Sequence, residues 1–465
     1  MGKLRHIERV KNVHGLTIQS NINEYHGEKM KTSKLSRLII LMSALTLLLS
    51  SLMGSVAAQT DVNLVVMIGE GELSQAEIDA FTAANPGITI TRIDPDETKL
   101  AAMVAAGEAP DIIRGSGAET ANLVERGWVL DLTSYFETST ILKPDDMVPS
   151  VDYFRYEGGW YGMHKDWSPD QSFFINKQAA AEAGIELPPV QTIITYEQAA
   201  EWARAMTQAQ GGRVTRVGLA YSEYWDANVQ TILMETGEDL YSEDFSSANI
   251  KDNPTVVAFL TLMANLAKEN ATFSPLNPSP EWVVPDLLNG RAASATNGYW
   301  IQGGFRGAEE PVVAPENYVM YPALSWGGEV SVNPGLGGAG MFISATTKNP
   351  DAAWKFFEYY MGGDAAITRA QTGWGLPALT SLYSQIPTTE AWQQQYLENV
   401  EWEQSNTIQT PRRINPYYRA DVFNTVWKAN LERYLKGEIT IDEAIANLDT
   451  EVNEAIAAGK ATAGN

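Results

Sequence analysis

A regular alternation of short apolar runs and helical segments restricts the possible folds of this chain more than any other sequence feature. The runs "VNLVVMI" (62–68), "ITITRI" (88–93) and "DIIR" (111–114) have the length and apolar content of buried strands. Between them lie segments with helical spacing of apolar residues, the first of which begins after Ser74 and closes at "NPG". This order predicts an α/β fold built on a twisted, mainly parallel sheet.

The alternation continues along the chain, and the C-terminal third is mostly helical. "VGLAY", "RAASAT" and "GAGMFISATT" predict strands, whereas "PTVVAFLTLMANLAKE" and "NPDAAWKFFEYYM" predict helices. Thr195 with Gln198 and Thr440 with Glu443 predict capping boxes, and Asn349 is predicted to cap the helix that starts at the following proline. With 465 residues, the chain is long enough for two lobes.

The first 58 residues are predicted to be an export signal rather than part of the folded protein. A basic stretch precedes the apolar run 38–53, and small residues follow it, so cleavage after Ala58 places Val56 and Ala58 at the recognised positions. The run is too short and too rich in Ser and Thr for a membrane span, although an uncleaved N-terminal anchor is the alternative. Because signal peptides rarely carry about thirty polar residues in front, Met30 is the expected start of translation.

The charge of the exported chain narrows the classes of ligand. The whole sequence has a formal net charge of −24, and removal of residues 1–58, with 8 basic and 3 acidic residues, leaves −29. This charge disfavours nucleic acid, anionic lipid and anionic ligands, and it favours neutral or cationic ones. The chain has no cysteine, which excludes thiolate metal sites, cysteine nucleophiles and a lipid anchor at a signal-peptide cysteine. We therefore expect a periplasmic or extracellular protein.

Histidine is almost absent after residue 58, and this limits the possible catalytic and metal sites. His164 is the only one there, so a histidine-rich metal site is excluded and a Ser-His-Asp triad would have to use this residue. We interpret it as a structural hydrogen-bonding residue. The sequence contains no nucleophile elbow or Walker loop, and "GLGGAG" (335–340) is interpreted as a close backbone approach rather than a phosphate loop. Neither a metal nor a cofactor is predicted.

Several longer segments, taken in order, resemble one protein family. They are "GEAPDIIRGSG…LVERGWVLDLTSYF", "GGWYGMHKDWSPDQSFFINKQAAAEAGIELPP", "LLNGRAASATNGYW", "GGAGMFISATTKNPDAAWKFFEYYM", "TGWGLPALTSLY" and "YLKGEITIDEAIANLDTEVNEAI". Over nearly all of the exported chain, this series resembles the extracellular solute-binding proteins of ATP-driven importers, and especially the sugar-binding, maltose-binding-protein-like branch.

The resemblance implies a type II periplasmic-binding-protein-like fold, a clamp of two α/β lobes with crossover hinge strands that closes on its ligand. Lobe one would comprise residues 59–167 and 338–382, and lobe two 168–337 and 383–465. The resemblance further implies a non-catalytic monomer that delivers a sugar to the permease subunits of an ABC importer. The lipid-bearing cysteine that many family members carry is missing, which favours a freely soluble protein.

The stretch "WYGMHKDWSPDQSFFINK" holds the densest group of candidate ligand-binding residues. Asp166 falls where the family places a ligand-contacting acid, Trp167 could stack on a sugar ring, and Asp170 could bind hydroxyls. The alternative is that the aromatic residues of this stretch belong to a core strand. We adopt that interpretation for Phe173 and Phe174, and we assign Asp166 and Trp167 to the cleft.

Further candidates follow predicted strands, because binding residues in open α/β sheets lie on loops at the carboxyl ends of the strands. Ser116 and Glu119 come just after "PDII", and Glu70 follows the first strand. The two glutamates could equally be helix N-terminal acids that the helix dipole favours. Trp300 lies where the family places a stacking aromatic residue, and it is predicted to stack on the ligand from lobe two, opposite Asp166.

Two C-terminal loops, "TGWGLP" and "PRRINPYYR", supply the remaining candidates. Trp374 lies between glycines, where a large ring is expected to face the cleft. Arg412 and Tyr417 could reach the ligand from the second loop, although an arginine there could also pair with the abundant surface acids.

These observations predict a transport protein that binds a sugar or an oligosaccharide in a cleft between lobes. A peptide, a polyamine or a polyol stays open as the cargo, and the acidic chain suits a cationic one. An extracellular glycoside-active enzyme is the alternative of a different class. Its catalytic pair would be Asp166 and Asp170, since glycosidases hold two carboxyl groups roughly 5–10 Å apart.

Overall fold

A computed structural model describes the chain from Asp61 onward. Contacts between Cα atoms group the residues from Asp61 to the end of the chain into one unit. The predicted signal peptide lies outside the described residues. None of the helices in the described part is both long and apolar enough to cross a membrane. The described ranges are 61–221, 225–335, 338–410, 412–419 and 421–463.

Within these ranges, the strands belong to two five-stranded sheets and two short ribbons. In chain order they are β1 (Val62–Met67), β2 (Ile88–Ile93), β3 (Ile112–Ser116), β4 (Arg155–Tyr156), β5 (Gly159–Trp160), β6 (Gly162–His164), β7 (Asp166–Trp167), β8 (Ser172–Asn176), β9 (Gln208–Gln210), β10 (Arg213–Ala220), β11 (Ala292–Asn297), β12 (Tyr318–Ala323), β13 (Ala339–Ile343) and β14 (Leu376–Pro377).

The helices fill the connections between strands and form most of the C-terminal third. They are α1 (Gln75–Ala84), α2 (Glu97–Ala105), α3 (Thr120–Glu125), α4 (Thr133–Thr138), α5 (Lys177–Glu182), α6 (Tyr196–Met206), α7 (Asp226–Met234), α8 (Pro254–Lys268), α9 (Val283–Leu288), α10 (Ile301–Arg306), α11 (Pro350–Met361), α12 (Asp364–Thr372), α13 (Ala391–Asn406), α14 (Asp421–Leu435) and α15 (Ile441–Ala463).

Both sheets are mixed, so the prediction of a mainly parallel sheet is wrong. The first sheet has the order β2-β1-β3-β13-β6, in which β1 is parallel to β2 and β3 while β13 is antiparallel to β3 and β6. The second has the order β12-β8-β11-β10-β9, in which only the pair β10–β11 is parallel. Within the described residues, helices return the chain to the same sheet in the same direction after β1, β2 and β10, whereas β8 and β13 enter from the other sheet. Their apolar sequence carries no signal of strand direction.

The strand β8 shows why the sequence pattern located the core correctly. All five of its residues are buried, with Phe173 and Phe174 fully so. Because successive side chains of a strand point to opposite faces, these two rings enter different hydrophobic clusters. The sheet is therefore covered on both faces, and the core interpretation of the two phenylalanines is confirmed.

The predicted helix starts are largely confirmed at the level of individual hydrogen bonds. Thr440 and Glu443 form a complete capping box, with bonds of 2.7 and 3.2 Å between each backbone N–H and the other side chain. Thr195 accepts a bond from the Gln198 N–H at 3.0 Å, but the return bond is absent from the described structure. Asn349 occupies the predicted cap position and Pro350 begins α11, and the Asn349 carbonyl accepts a bond from the Ala353 N–H at 2.9 Å, but the Asn349 side chain makes no cap bond.

The connections between the two sheets lie side by side. β7 pairs with β14, and Val332 forms a bridge with Ile408. The strands of the first sheet all fall within residues 59–167 and 338–382, and those of the second fall within 168–337. The exact division of the chain into lobes stays a prediction.

Candidate ligand-binding site

A cavity of about 2090 Å³ opens where strands of both sheets end. Its wall includes residues just after β10 and at the end of β11 in the second sheet, and residues at and after β3 in the first. This is the edge at which open α/β sheets bind ligands. Eight of the ten predicted site residues line this cavity: Ser116, Glu119, Asp166, Trp167, Asp170, Trp300, Trp374 and Arg412.

Two predicted site residues lie elsewhere. Glu70 has a side chain that is 78% exposed and pairs with Arg92 at 3.2 Å, outside the cavity wall. Tyr417 packs beneath Lys460, whose ammonium lies 5.5 Å from the ring centroid. Its neighbour Tyr418 lines the cavity instead, because the loop turns between them.

Four charged residues form a fixed network on the side of the first sheet. Glu72, in the turn after β1, accepts two bonds from the Arg114 guanidinium at 3.0 and 3.3 Å. Lys165 lies 3.6 Å from Glu72 and 2.5 Å from the Asp166 carboxylate. Each acid therefore has a cation beside it, and their positions are set before any ligand arrives.

Ser116 and Glu119 combine both roles that the sequence left open. The Glu119 carboxylate accepts bonds from the Ser116 N–H at 2.6 Å and from the Ser116 hydroxyl at 3.3 Å, and thereby caps the turn after β3. Both residues also line the cavity. On the opposite sheet, Asp170 accepts a 2.5 Å bond from Ser168 and lies so close to Gly298 that a Cβ there would overlap its carboxylate. The glycine before Tyr299 and Trp300 is thus required by close packing.

Tryptophans supply the apolar part of the wall. Trp300 is partly buried and stacks on Trp282, with ring centroids 5.9 Å apart and planes inclined by 12°. Trp282 is 46% exposed and Trp374 is 43% exposed, although both line the cavity. Trp374 packs directly against Gly303 of α10. Trp167 differs from these because only 4% of it is exposed and its indole N–H donates to the Tyr383 hydroxyl at 3.0 Å.

Two further cavity tryptophans, Trp282 and Trp225, were not predicted from the sequence. Both stand immediately before a short helix, and Trp282 ends the Pro- and Ser-rich segment "SPLNPSPEW". A tryptophan in so polar a loop, with no apolar periodicity around it, is a signal that could have been used. Trp225 has no comparable signal.

A buried acid, Asp226, also lines the cavity and was not predicted. Only 7% of it is exposed, and it accepts bonds from the Gln230 amide at 3.3 Å, the Tyr418 hydroxyl at 3.4 Å and the Tyr241 hydroxyl. Burial, together with the nearby Asp226 charge, raises the pKa of Tyr241 well above its ordinary value, so the phenol remains a donor. Asp226 is the first residue of α7, where the helix dipole favours an acid.

His164 is buried and lies outside the cavity wall. Its Nε2 is 3.1 Å from the Ser150 hydroxyl, and burial lowers its pKa to about 4. Within the described ranges, no group of three or more His, Asp or Glu side chains could hold a metal ion.

Comparison with known proteins gives a family and a fold. A sequence profile described as a bacterial extracellular solute-binding protein matches residues 76–396. No curated protein matches the chain. Among solved structures, the chain is similar to an ABC substrate-binding protein from Listeria monocytogenes in complex with cycloalternan, with a TM-score of 0.70, 21% identity, and coverage of 84% of this chain and 98% of that one.

Two further solved structures have the same fold over similar lengths. One is an ABC transporter solute-binding protein from Agrobacterium vitis S4 with bound D-mannitol, at TM-score 0.66 and 18% identity over 84% of this chain and 97% of that one. The other is an ABC transporter associated binding protein from B. animalis subsp. lactis in complex with β-1,6-galactobiose, at TM-score 0.67 and 18% identity over 86% and 98%. The predicted two-lobed α/β clamp is thereby confirmed.

Proposed function

The chain belongs to the bacterial extracellular solute-binding proteins, and from this premise we propose that it binds a sugar or a short oligosaccharide in the cavity between its two sheets. The bound ligand is then delivered to the membrane permease of an ABC importer. The protein acts as a non-catalytic carrier outside the cytoplasm, as a monomer.

The exposed tryptophans of the cavity wall are the main support for this proposal. Trp282 and Trp374 leave 46% and 43% of their surface exposed inside the cavity, although the rest of the core buries its aromatic rings well. Large apolar surface that faces solvent in a concave site is typical of ligand binding. Sugar rings present a face of C–H groups that a flat indole ring covers well, while their hydroxyls remain available at the edge.

The polar part of the wall suits the hydroxyl groups of a sugar. The carboxylates of Glu72, Asp166 and Asp170 each already have at least one donor that holds them in place. A fixed carboxylate accepts hydrogen bonds from hydroxyls without the entropy cost of ordering a flexible side chain. Glu72 follows β1 of the first sheet and Asp170 precedes β8 of the second, so a bound sugar would hold the two lobes together.

The ligands of the similar structures agree with this class. Cycloalternan and β-1,6-galactobiose are named in two of them, and the cavity volume of about 2090 Å³ is generous for an oligosaccharide. D-mannitol in the third keeps a polyol as the second candidate. A polyamine is less suited, because Glu72 and Asp166 are already paired with Arg114 and Lys165.

A binding titration tests the proposal. The purified protein is titrated with mono- and oligosaccharides, polyols, polyamines and short peptides, while tryptophan fluorescence and melting temperature are followed. We expect a carbohydrate to shift both signals. A shift produced only by a peptide or a polyamine would refute the sugar assignment.

The enzymatic alternative needs a separate measurement. Oligosaccharides are incubated with the protein and the products are separated. We expect unchanged substrate. Turnover that disappears in Asp166→Asn would replace the carrier role with glycoside chemistry.

A further inference from the structure

Arg412 is a buried cation whose side chain has no partner in the part of the chain that the structure describes. Only 8% of it is exposed, and it lines the cavity. Its backbone N–H donates to the Tyr153 hydroxyl at 3.0 Å. This bond links the loop that contains Arg412 to a segment from the first half of the chain. Within the described residues its guanidinium makes no hydrogen bond or ion pair, and its Nε is buried without an acceptor.

The other buried or half-buried cations of the cavity have partners. Arg114 and Lys165 contact Glu72 at 3.0 and 3.6 Å. Arg369 donates to the Tyr360 carbonyl at 2.7 Å and lies over the ring of the same residue, 4.3 Å from its centroid, although its Nε and Nη1 are buried without an acceptor. Arg412 differs from all three cations because its side chain has no hydrogen-bond, ion-pair or ring partner among the described residues.

The buried acid of the same cavity wall, Asp226, does not serve as its partner. The Asp226 carboxylate already accepts bonds from Gln230 and from two tyrosine hydroxyls, of Tyr418 and Tyr241. No ion pair between Asp226 and Arg412 occurs among the described residues. The cavity wall therefore contains a buried acid whose carboxylate is hydrogen-bonded and a buried arginine whose guanidinium is not.

We propose, as an extension of the proposed function, that the ligand is an acidic carbohydrate, a sugar or oligosaccharide with a uronic acid residue, and that its carboxylate binds the Arg412 guanidinium. A buried charge is costly unless it is paired and hydrogen-bonded, so an unpaired arginine that faces a cavity indicates an anion supplied by the ligand. The planar guanidinium fits a carboxylate with two parallel bonds.

The acidic character of the whole chain does not oppose this. The exported chain has a formal charge of −29, but at physiological ionic strength exposed charges are screened beyond about 8 Å. The strength of a buried ionic contact depends mainly on the charged and polar groups next to it. A single cation suits a singly charged carboxylate, and Asp170, Asp226 and Glu119 in the same wall disfavour a doubly charged phosphate.

A matched set of ligands tests the proposal. For the galacto, gluco and manno series, binding of a uronic acid disaccharide, its methyl ester and the neutral disaccharide of the same linkage is measured by calorimetry. The methyl ester keeps the ring and the carbonyl but removes the charge. We expect one series in which the acid binds on the order of 30-fold more tightly than its ester and its neutral counterpart.

Variants assign this preference to Arg412. Arg412→Gln should reduce it to less than about threefold, and Arg412→Lys should retain part of it because the charge stays but the paired geometry is lost. Arg413→Gln is the matched control, since Arg413 lies next in sequence but pairs with Asp239 at 2.7 Å outside the cavity. The apo melting temperature of Arg412→Gln should be equal to or higher than that of the wild type, whereas a structural arginine would lower it.

The possible outcomes separate the two proposals. If the neutral sugar or the ester binds as tightly as the acid in every series, the acidic ligand is refuted while carbohydrate binding stands; this comparison needs only the wild type. A preference that survives in Arg412→Gln likewise refutes the role of Arg412. If no carbohydrate binds at all, the proposed function fails and the acidic ligand fails with it.

Discussion

The Glu403 carboxylate accepts a hydrogen bond from the Ser172 hydroxyl at 2.8 Å, although the two residues are 231 positions apart in sequence. Ser172 begins β8 directly after the first crossover. The same carboxylate accepts bonds from the Asn333 amide at 2.9 Å and the Ala323 N–H at 2.7 Å. Asn333 lies in the second connection between the sheets, which leaves the second sheet after β12. The buried Glu403 on α13 therefore holds both crossover segments where they join the second sheet.

Burial of Glu403 makes stability depend on pH. Removal from solvent raises its pKa from 4.5 to about 7, although the bonds from Asn333, Ser172 and Ala323 lower it. Between about pH 4.5 and 7 the folded protein holds a proton that the unfolded chain has released. The contribution of Glu403 to the free energy of unfolding therefore falls as the pH rises through this window, by up to about 3 kcal/mol, and this contribution no longer changes above it.

Glu403→Gln is expected to remove this part of the pH dependence, because glutamine is neutral at every pH. The measurement is urea unfolding from pH 4.5 to 8. Glu398→Gln, which changes an exposed glutamate on the same helix, is the control and should follow the wild type. Parallel curves for Glu403→Gln and the wild type would mean that Glu403 does not titrate in this range.

The second prediction separates the stacked pair of tryptophans. Trp282→Ala should weaken sugar binding by about ten- to a hundredfold with little change in apo melting temperature, because half of that ring is already exposed. Trp300→Ala should weaken binding by about ten- to a thousandfold and also cost about 1–3 kcal/mol of apo stability, since its ring packs against the core. Trp402→Ala, outside the cavity, should leave affinity unchanged. Wild-type affinity in both cavity variants would remove these rings from the site.

The third prediction concerns the glycine beneath Trp374. An alanine in an exposed helix usually stabilises relative to glycine by about 0.5–1 kcal/mol. At Gly303, however, the new Cβ would lie 2.7–2.8 Å from the Trp374 side chain and backbone, so the loop must move. Gly303→Ala should therefore lower sugar affinity. Gly307→Ala, whose Cβ has its nearest neighbour at 3.5 Å, is the control. Equal affinities in the two variants would show that the position of Trp374 does not matter for binding.

The fourth prediction concerns the charge network. Lys165 is 12% exposed and lies between Glu72 and Asp166. Its replacement by Met leaves two partly buried acids close together, which should cost about 1–3 kcal/mol of apo stability as well as affinity. The double variant Lys165→Met with Asp166→Asn should recover part of the stability but not the affinity. Lys436→Met, at an exposed pair with Glu432 just after the end of α14, should change stability by less than about 0.5 kcal/mol. A double variant no more stable than Lys165→Met would refute the coupling.

Local sequence determined the elements and much of the site's location. Alternating apolar runs set the strands of both sheets, and Ser74 and Thr440 marked helix starts because a cap bond joins residues three positions apart. The candidate residues after strands, such as Ser116 and Trp300, could be proposed because strand ends meet at one edge of a sheet. These inferences depend on contacts within a few residues or on a general rule of sheet geometry.

The tertiary structure decided which groups meet. The direction of β8 and β13, the stacking of Trp282 on Trp300, and the bond between Ser172 and Glu403 join segments that are distant in sequence, and no local periodicity encodes such pairs. The unpaired state of Arg412 is of the same kind. Whether an arginine has a partner depends on where distant carboxylates lie after folding. Here the carboxylate of Asp226, in the same cavity wall, accepts hydrogen bonds from tyrosine hydroxyls instead.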